Sequence, residues 1–536
     1  MPDRRRSPGG CGGRLLGYLP RDGQADACAR RARLGSGGRE DRSLRAVRRY
    51  AFDRLRHVLN APHEIAALGV AQAAGRIARG EMSCVEYARA LLEAIARTGD
   101  SNAWIHVDAE GLLKAAAVAD RKQSARGPLH GVPLAFKDNI DVAGMPTTAG
   151  SPALRGHVPQ AGSAVAQRLL DAGALALGKT NLHEFALGIT NDNAAFGAVR
   201  NPHAPDRIAG GSSGGAGAAV AAFAAPAAIG TDTGGSVRIP AALCGVVGFR
   251  PSTGRWPTEG IVPISTTRDT PGSIARSVAD CALLDAVVTG RAGREAANQG
   301  RAAREGARWL QEEPLRGLRL GVPTRHFWTP LDDDTAKAAH AALERLRDAG
   351  AEFVRCEVEE VAALTAATGM AIARYETLPA LRDYWSRHGL AFDFDALVAR
   401  IASPDVRHAF EGLGNASAPT LGEYRRAMRE LRPALQRAWR RCFESNRIAA
   451  LVFPTTPLPA ARIGAEFVRI AGEPSPVFPA YIRNTEPGTV AGAPGLTIPC
   501  GTTSAALPVG LAIDALPGDD DRLLRVGMAI ERALGS

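Results

Sequence analysis

Two glycine-serine loops separated by an alanine-rich apolar stretch constrain this chain more than any other feature. Residues 210–217 read GGSSGGAG and run directly into residues 216–229, which are mostly alanine and are interrupted by Pro226. The stretch is too short for the roughly 20 apolar residues that a bilayer demands, so it reads as a buried helix and not as a membrane span. The second loop follows within AAIGTDTGGSVRIPAALCGVVGFRPS, which reads as strand, glycine-rich loop, then a short helix or strand. Helix and strand alternating around such loops argue an α/β architecture.

The rest of the chain supports that alternation. From about residue 61, IAALGVAQAAGRIARGEMSCVEYARALLEAIART carries apolar residues at helical spacing, and Ser83 with Glu86 three residues later predicts a capping box for the second of two helices. LHGVPLAFKDNI reads as a buried strand that delivers Lys137 to its end, residues 163–173 as a helix stopped by glycine, and ALALGKT as another buried strand. Residues 290–315 are polar and read as a surface linker, whereas 334–349 and 421–446 read as amphipathic helices. The end returns to strands in LVFPTTPLP, GAPGLTIPCG and LPVGLAIDA before a final helix over 520–534.

The net charge of +10 suggests nucleic-acid binding until it is located. About fifteen arginines and no lysine lie in residues 1–56 against six acids, so nearly all of the excess belongs to the first segment and the body is close to neutral. That segment, rich in Arg and Gly and without helical or strand period, reads as a disordered extension over 1–60. Eight cysteines are spread singly with no metal-ligand spacing, which argues a reduced, cytoplasmic protein. His183-Glu184 opens like a zinc-protease motif, but Leu187 stands where the second histidine belongs.

The chemistry lies in the loops. In TDTGGS the glycines can take positive φ, so the amides of Thr233, Gly234, Gly235 and Ser236 can converge on one oxygen beside a hydroxyl. Cleaving an amide also needs a base for the serine and an acid for the departing amine. No histidine is placed in either loop, and a neutral lysine can serve both needs. Lowering a lysine from its usual pKa near 10.4 to about 7 takes roughly 4–5 kcal/mol of bias against its charged form, which burial at the end of an apolar strand can supply. Taken alone, Lys137 reads as an ordinary ion pair with Asp138 or Asp141. Gly211, Ser213 and Gly215 also fit the nucleophile elbow of α/β-hydrolases, but RNPHAPDRIAG before them, with two prolines and charged residues, does not read as the strand that motif requires, and no histidine follows His408.

GGSSGG followed by GTDTGGSVRIPA resembles the amidase signature, and GVPLAFKDNI resembles the lysine segment of the same family, in the family's order. Segments from about residue 61 to the C-terminus resemble family segments as well, Ala216 being a departure where many members carry serine. The resemblance implies a Ser-cisSer-Lys triad in which Ser236 is the nucleophile, Ser212, 24 positions earlier in a cis peptide, is the relay, and Lys137 is the base. Ser213 neighbours the relay, and Asp232 and Arg238 flank the nucleophile and brace its loop, surface charge being the alternative for each. The implied fold is one α/β domain over 61–536, a central mixed β-sheet flanked by α-helices on both sides. The implied reaction is hydrolysis of a small carboxamide through an acyl-enzyme, with no metal or cofactor, no membrane and no nucleic acid; a homodimer is left open.

Within the family, the run ISTTRDTPG resembles indoleacetamide and mandelamide hydrolases more than the glutaminase subunit of the tRNA-dependent amidotransferase, so an arylalkyl amide is the expected substrate. An inactive RNA-binding or scaffold protein that uses the Arg-rich segment is the alternative from another class.

Overall fold

The computed structural model describes residues 63–122, 127–292 and 313–535. The expected extension over 1–60 and most of the expected linker over 290–315 lie outside the described residues. Near the start of the described part lie the two helices Val70–Ala78 and Cys84–Arg97, and Ser83 and Glu86 form the anticipated capping box at the second.

The main sheet has eleven strands, numbered here in chain order: β1 Trp104–His106, β2 Pro133–Lys137, β3 Leu175–Thr180, β4 Ala227–Asp232, β5 Val247–Arg250, β6 Thr270–Ala275, β7 Arg319–Pro323, β8 Glu352–Cys356, β9 Ala450–Pro454, β10 Gly495–Thr502 and β11 Pro508–Asp514. Their order across the sheet is β1-β3-β2-β4-β6-β5-β10-β11-β9-β7-β8. Both orientations occur: β2 runs parallel to β3 and β4, whereas β4, β6, β5, β10, β11 and β9 pair antiparallel in succession. The sheet is therefore mixed, as expected, and helices flank it. Every residue of β2, β4 and β11 is buried, which fits strands read as continuous apolar runs.

One register decides where the chemistry sits. Ala135 pairs with Ala228 and Phe136 with Ile229 in parallel, so the C-terminal ends of β2 and β4 lie side by side. Lys137 ends the first strand, and Thr231 and Asp232 end the second.

The alanine-rich stretch is not one helix. The helix Gly214–Ala221 stops before Phe223, whose φ is +58°, and residues from Ala227 onward become β4. Pro226 lacks the N–H a helix would use there, so the chain leaves the helix and re-enters as a central strand. Small residues are still required. A Cβ on Gly215 would stand 2.5 Å from the carbonyl oxygens of both Ala103 and Asn181.

The helix expected over 334–349 spans Asp333–Asp348, capped by Asp332. The one expected over 421–446 is broken into Leu421–Arg426, a π turn at Ala427–Leu431, and Arg432–Asn446. Pro433 follows the wide turn, and its missing N–H and bulky ring account for the irregularity. Sequence reasoning assigned nothing to 361–413, which folds as Val361–Arg387, Phe394–Arg400 and Pro404–Leu413. These helices share a satellite core with Phe185 and Val262, built on Leu381, Trp385 and Phe410. Among the described residues no helix is long and apolar enough to cross a membrane.

Candidate active site

Lys137 is wholly buried at the end of β2. Its Nζ lies 2.7 Å from Ser212 Oγ and 2.8 Å from Thr231 Oγ1. Neither neighbouring acid takes it. Asp138 pairs with Lys179 at 3.1 Å and accepts the Thr148 N–H at 3.0 Å, while Asp141 accepts the Tyr384 hydroxyl at 2.9 Å. The ordinary ion-pair reading of Lys137 is thereby overturned. With hydroxyls instead of a carboxylate in contact, burial lowers the Lys137 pKa to about 7, although the more distant Asp232 and Asp269 carboxylates pull the other way.

The peptide bond between Gly211 and Ser212 is cis. Around it the first loop is tied down by backbone and amide groups. The Ser212 carbonyl accepts the His183 N–H at 3.1 Å, the Gly214 N–H donates to Asn191 Oδ1 at 2.8 Å, and the Ser213 N–H donates to the Ser236 carbonyl at 3.2 Å. The last of these joins the two loops. Ser213 Oγ also donates to the Thr231 carbonyl at 3.3 Å, so Ser213 braces and does not face the site's open side.

Ser236 keeps 7% exposure whereas Lys137 and Ser212 keep none, so an incoming molecule meets Ser236 first. The four amides from Thr233 to Ser236 donate to no protein acceptor among the described residues. Other groups of the turn are tied down instead. The Gly234 carbonyl accepts the Thr485 hydroxyl at 2.6 Å, and Thr233 Oγ1 donates to Asp269 Oδ1 at 2.6 Å. Gly235 has φ +144°, and a Cβ there would stand 2.2 Å from Thr485 Oγ1, so only glycine fits. N–H groups left without a protein acceptor beside a reachable hydroxyl are donors available to a bound anion or a polarised oxygen.

Asp232 and Arg238, for which surface charge was the alternative, are buried behind this turn. Arg238 Nε and Nη2 donate to the Asp232 carboxylate at 3.1 and 3.2 Å, and the Val237 N–H adds a third bond at 3.2 Å. Arg250 approaches the same carboxylate at 3.4 Å. Burial works to raise the Asp232 carboxyl, but the two guanidinia outweigh it and hold it below its ordinary range. Arg238 also donates to the Thr485 carbonyl at 3.0 Å and to Thr489 Oγ1 at 2.7 Å, which carries the brace across to the element behind the loop.

Four participants escaped the sequence reading. Thr231 and Asn139, joined at 3.2 Å, lie inside motifs already singled out, and their place beside Lys137 at a strand end was the available signal. Asp269 and Thr485 come from distant segments; Asp269 lies within the run ISTTRDTPG already singled out, but nothing local places either residue beside the turn.

The structure thus brings together amides that donate to no protein acceptor among the described residues, a partly reachable serine, and a buried lysine in contact with a second serine. The family model for Amidase matches residues 86–524, and the chain belongs to the amidase family: it is a hydrolase acting on amide bonds. Similar to it are the indoleacetamide hydrolase of Agrobacterium vitis, 42% identical over 87% of this chain and 97% of that protein, and the mandelamide hydrolase of Pseudomonas putida, 39% identical over 88% and 93%. The native peptide amidase of Stenotrophomonas maltophilia superimposes with a TM-score of 0.74 at 33% identity, covering 87% of this chain and 97% of that one.

Proposed function

We propose that this amidase hydrolyses a small arylalkyl carboxamide to a carboxylate and ammonia through an acyl-enzyme on Ser236. The observation that carries the reading is the contact of 2.7 Å between Lys137 Nζ and Ser212 Oγ, made by a lysine that burial holds near neutrality. Neutral Lys137 takes the Ser212 proton as Ser212 takes that of Ser236, and Ser236 Oγ attacks the carbonyl carbon. The oxyanion is received by the amides of Thr233, Gly234, Gly235 and Ser236. The proton on Lys137 returns through Ser212 to the departing nitrogen, the C–N bond breaks, and ammonia leaves. Water then attacks the ester by the same relay in reverse. Asp232 and Arg238 hold the turn in register throughout. Six described cysteines are buried free thiols, which supports the expectation of a cytoplasmic protein.

Likeness to indoleacetamide and mandelamide hydrolases supports an aryl group joined to the amide by one carbon. Ammonia release from indole-3-acetamide, mandelamide, phenylacetamide, benzamide and glutamine checks this. Turnover of the arylalkyl amides above benzamide and glutamine is the expected ranking, and turnover of glutamine alone would transfer the assignment to the amidotransferase type.

Thr231 enters the reaction as a positioning residue. Its Oγ1 accepts from both Lys137 and Asn139, and it has no place in the proton path. Thr231→Val keeps the shape and removes that acceptor, which the lysinium form uses more strongly than the amine. The expected result is kcat lowered roughly 10- to 100-fold, about 1–3 kcal/mol, with KM little changed and the acid limb of the pH profile moved to lower pH. Thr231→Ser should restore most of the rate. An unchanged pH profile in Thr231→Val would remove Thr231 from this role.

A further inference from the structure

Away from the Ser236 turn, three donors of the kind that borderline divalent metals favour come together. Asp141 lies in the loop after β2, His157 in the loop before residue 164, and His388 caps the C-terminus of the helix Val361–Arg387. One donor atom from each lies within 4.8 Å of the other two. Asp141 is wholly buried, while both histidines keep partial exposure, so the group opens to solvent on its imidazole side.

The nearby cation, buried Lys179, acts on Asp141 and His157 but is paired with Asp138 at 3.1 Å, so the contacts inside the group decide what it holds. His388 Nδ1 stands 2.8 Å from the Tyr384 carbonyl oxygen, which only accepts, so Nδ1 carries a hydrogen. Nε2 of the same ring faces Asp141 Oδ2 at 2.9 Å. With Nδ1 already a donor, that second contact sets a lone pair against a carboxylate unless a further cation stands there, either a proton on Nε2 or a metal ion. The other carboxylate oxygen accepts the Tyr384 hydroxyl at 2.9 Å, and the same phenol oxygen lies 3.1 Å from His157 Nε2. Tyr384 thus orients two of the three donors. A histidine whose far nitrogen donates to a backbone carbonyl, beside a carboxylate fixed by a neighbouring hydroxyl, is how protein metal sites hold their ligands in tautomer and direction.

We infer that Asp141, His157 and His388 bind one divalent transition-metal ion of the zinc class, which fastens the helix Val361–Arg387 to the loop that leaves Lys137. Two imidazoles and a carboxylate suit zinc, cobalt or nickel and are too nitrogen-rich for magnesium or calcium. For bonds of about 2.0–2.1 Å the donor atoms must stand about 3.3 Å apart, so the His388–Asp141 pair has to open slightly from 2.9 Å while the partly exposed His157 moves in, and water takes the fourth position. On binding, a proton held by His388 Nε2 passes to solvent and the ion takes its place. The ion has no part in amide cleavage. No spacing pattern reveals the set, because its members are joined by the fold and not by the sequence.

The test uses the full chain without an affinity tag, stripped with a chelator and titrated with Co(II), then with Zn(II). One equivalent of Co(II) should bind with visible d–d absorption and no sulfur-to-cobalt charge-transfer band, and Zn(II) should displace it and raise Tm. H157Q and H388Q should each weaken binding roughly 100-fold or more, Y384F roughly 10-fold, and S236A not at all. H157Q, at the more open ligand, serves if H388Q does not fold. Absence of stoichiometric binding to folded protein, binding retained in H157Q, or a thiolate band that assigns the ion to cysteine would each overturn the site.

Discussion

Ser236→Ala should lower kcat for the best amide by about 10⁴- to 10⁶-fold while leaving KM and Tm almost unchanged. The rate falls because no bond to the acyl carbon can form, and neither Ser212 nor Lys137 has the exposure to replace the lost nucleophile. What survives comes from the amides of Thr233 to Ser236, which an alanine at 236 retains in full, so a small residual rate above the uncatalysed one is also expected. Stability should hold because Ser236 Oγ makes no hydrogen bond to protein among the described residues, and its removal orphans no buried partner. Mass spectrometry of protein quenched during turnover adds the decisive reading. An acyl adduct should appear on wild-type protein and vanish in Ser236→Ala. A variant that kept full ammonia release would remove Ser236 from the mechanism.

The parts of this site legible in the sequence are those that a local pattern has to contain. GTDTGGS shows its function because a turn of free amides needs glycine where φ is +144° and where any Cβ would strike Thr485. PLAFK shows its strand because five successive buried residues leave an unbroken run that is apolar up to the lysine at its end. The cis bond at Ser212 and the division of roles came through family resemblance and not from composition. Thr231 was within view, yet nothing local says that β2 and β4 are parallel neighbours, and it is the Phe136–Ile229 register that sets Thr231 against Lys137. Asp269, Thr485 and Tyr384 were out of reach for a plainer reason: each meets its partner across more than 30 residues of chain. The helices over 361–413 were missed because their longest member carries an internal proline and has apolar residues distributed around its circumference, which blurs the amphipathic period.

Lys137→Met should abolish most turnover, by about 10⁴-fold, and at the same time stabilise the protein near neutral pH. The base must be unprotonated to act, so wild-type kcat/KM should rise with pH through an apparent pKa near 7, the value that burial imposes on Lys137. The same displacement fixes the sign of the stability effect. A lysine near 10.4 in the unfolded chain and near 7 in the folded one means that, between those values, the unfolded state holds one more proton. Wild-type stability therefore increases with pH across that window, and below it the protein carries the full cost of about 5 kcal/mol. Methionine removes that cost. It also leaves Ser212 Oγ and Thr231 Oγ1 without the amine they contact, a loss of about 1–3 kcal/mol for each orphaned group. Thr231 still accepts from Asn139, so the loss falls mainly on Ser212 and stays below the cost removed. The variant should then melt higher than wild type at pH 6–7, with the advantage shrinking as pH rises and reversing near pH 10, where the lysine approaches its unfolded-state pKa and the remaining cost of neutralising it falls below the worth of its hydrogen bonds. Melting curves of both proteins at matched pH values decide it, because other titrating groups are common to the pair and cancel in the difference. A difference in Tm that did not change between pH 6 and pH 10 would mean that Lys137 is charged in the folded protein, and the base would have to be sought elsewhere.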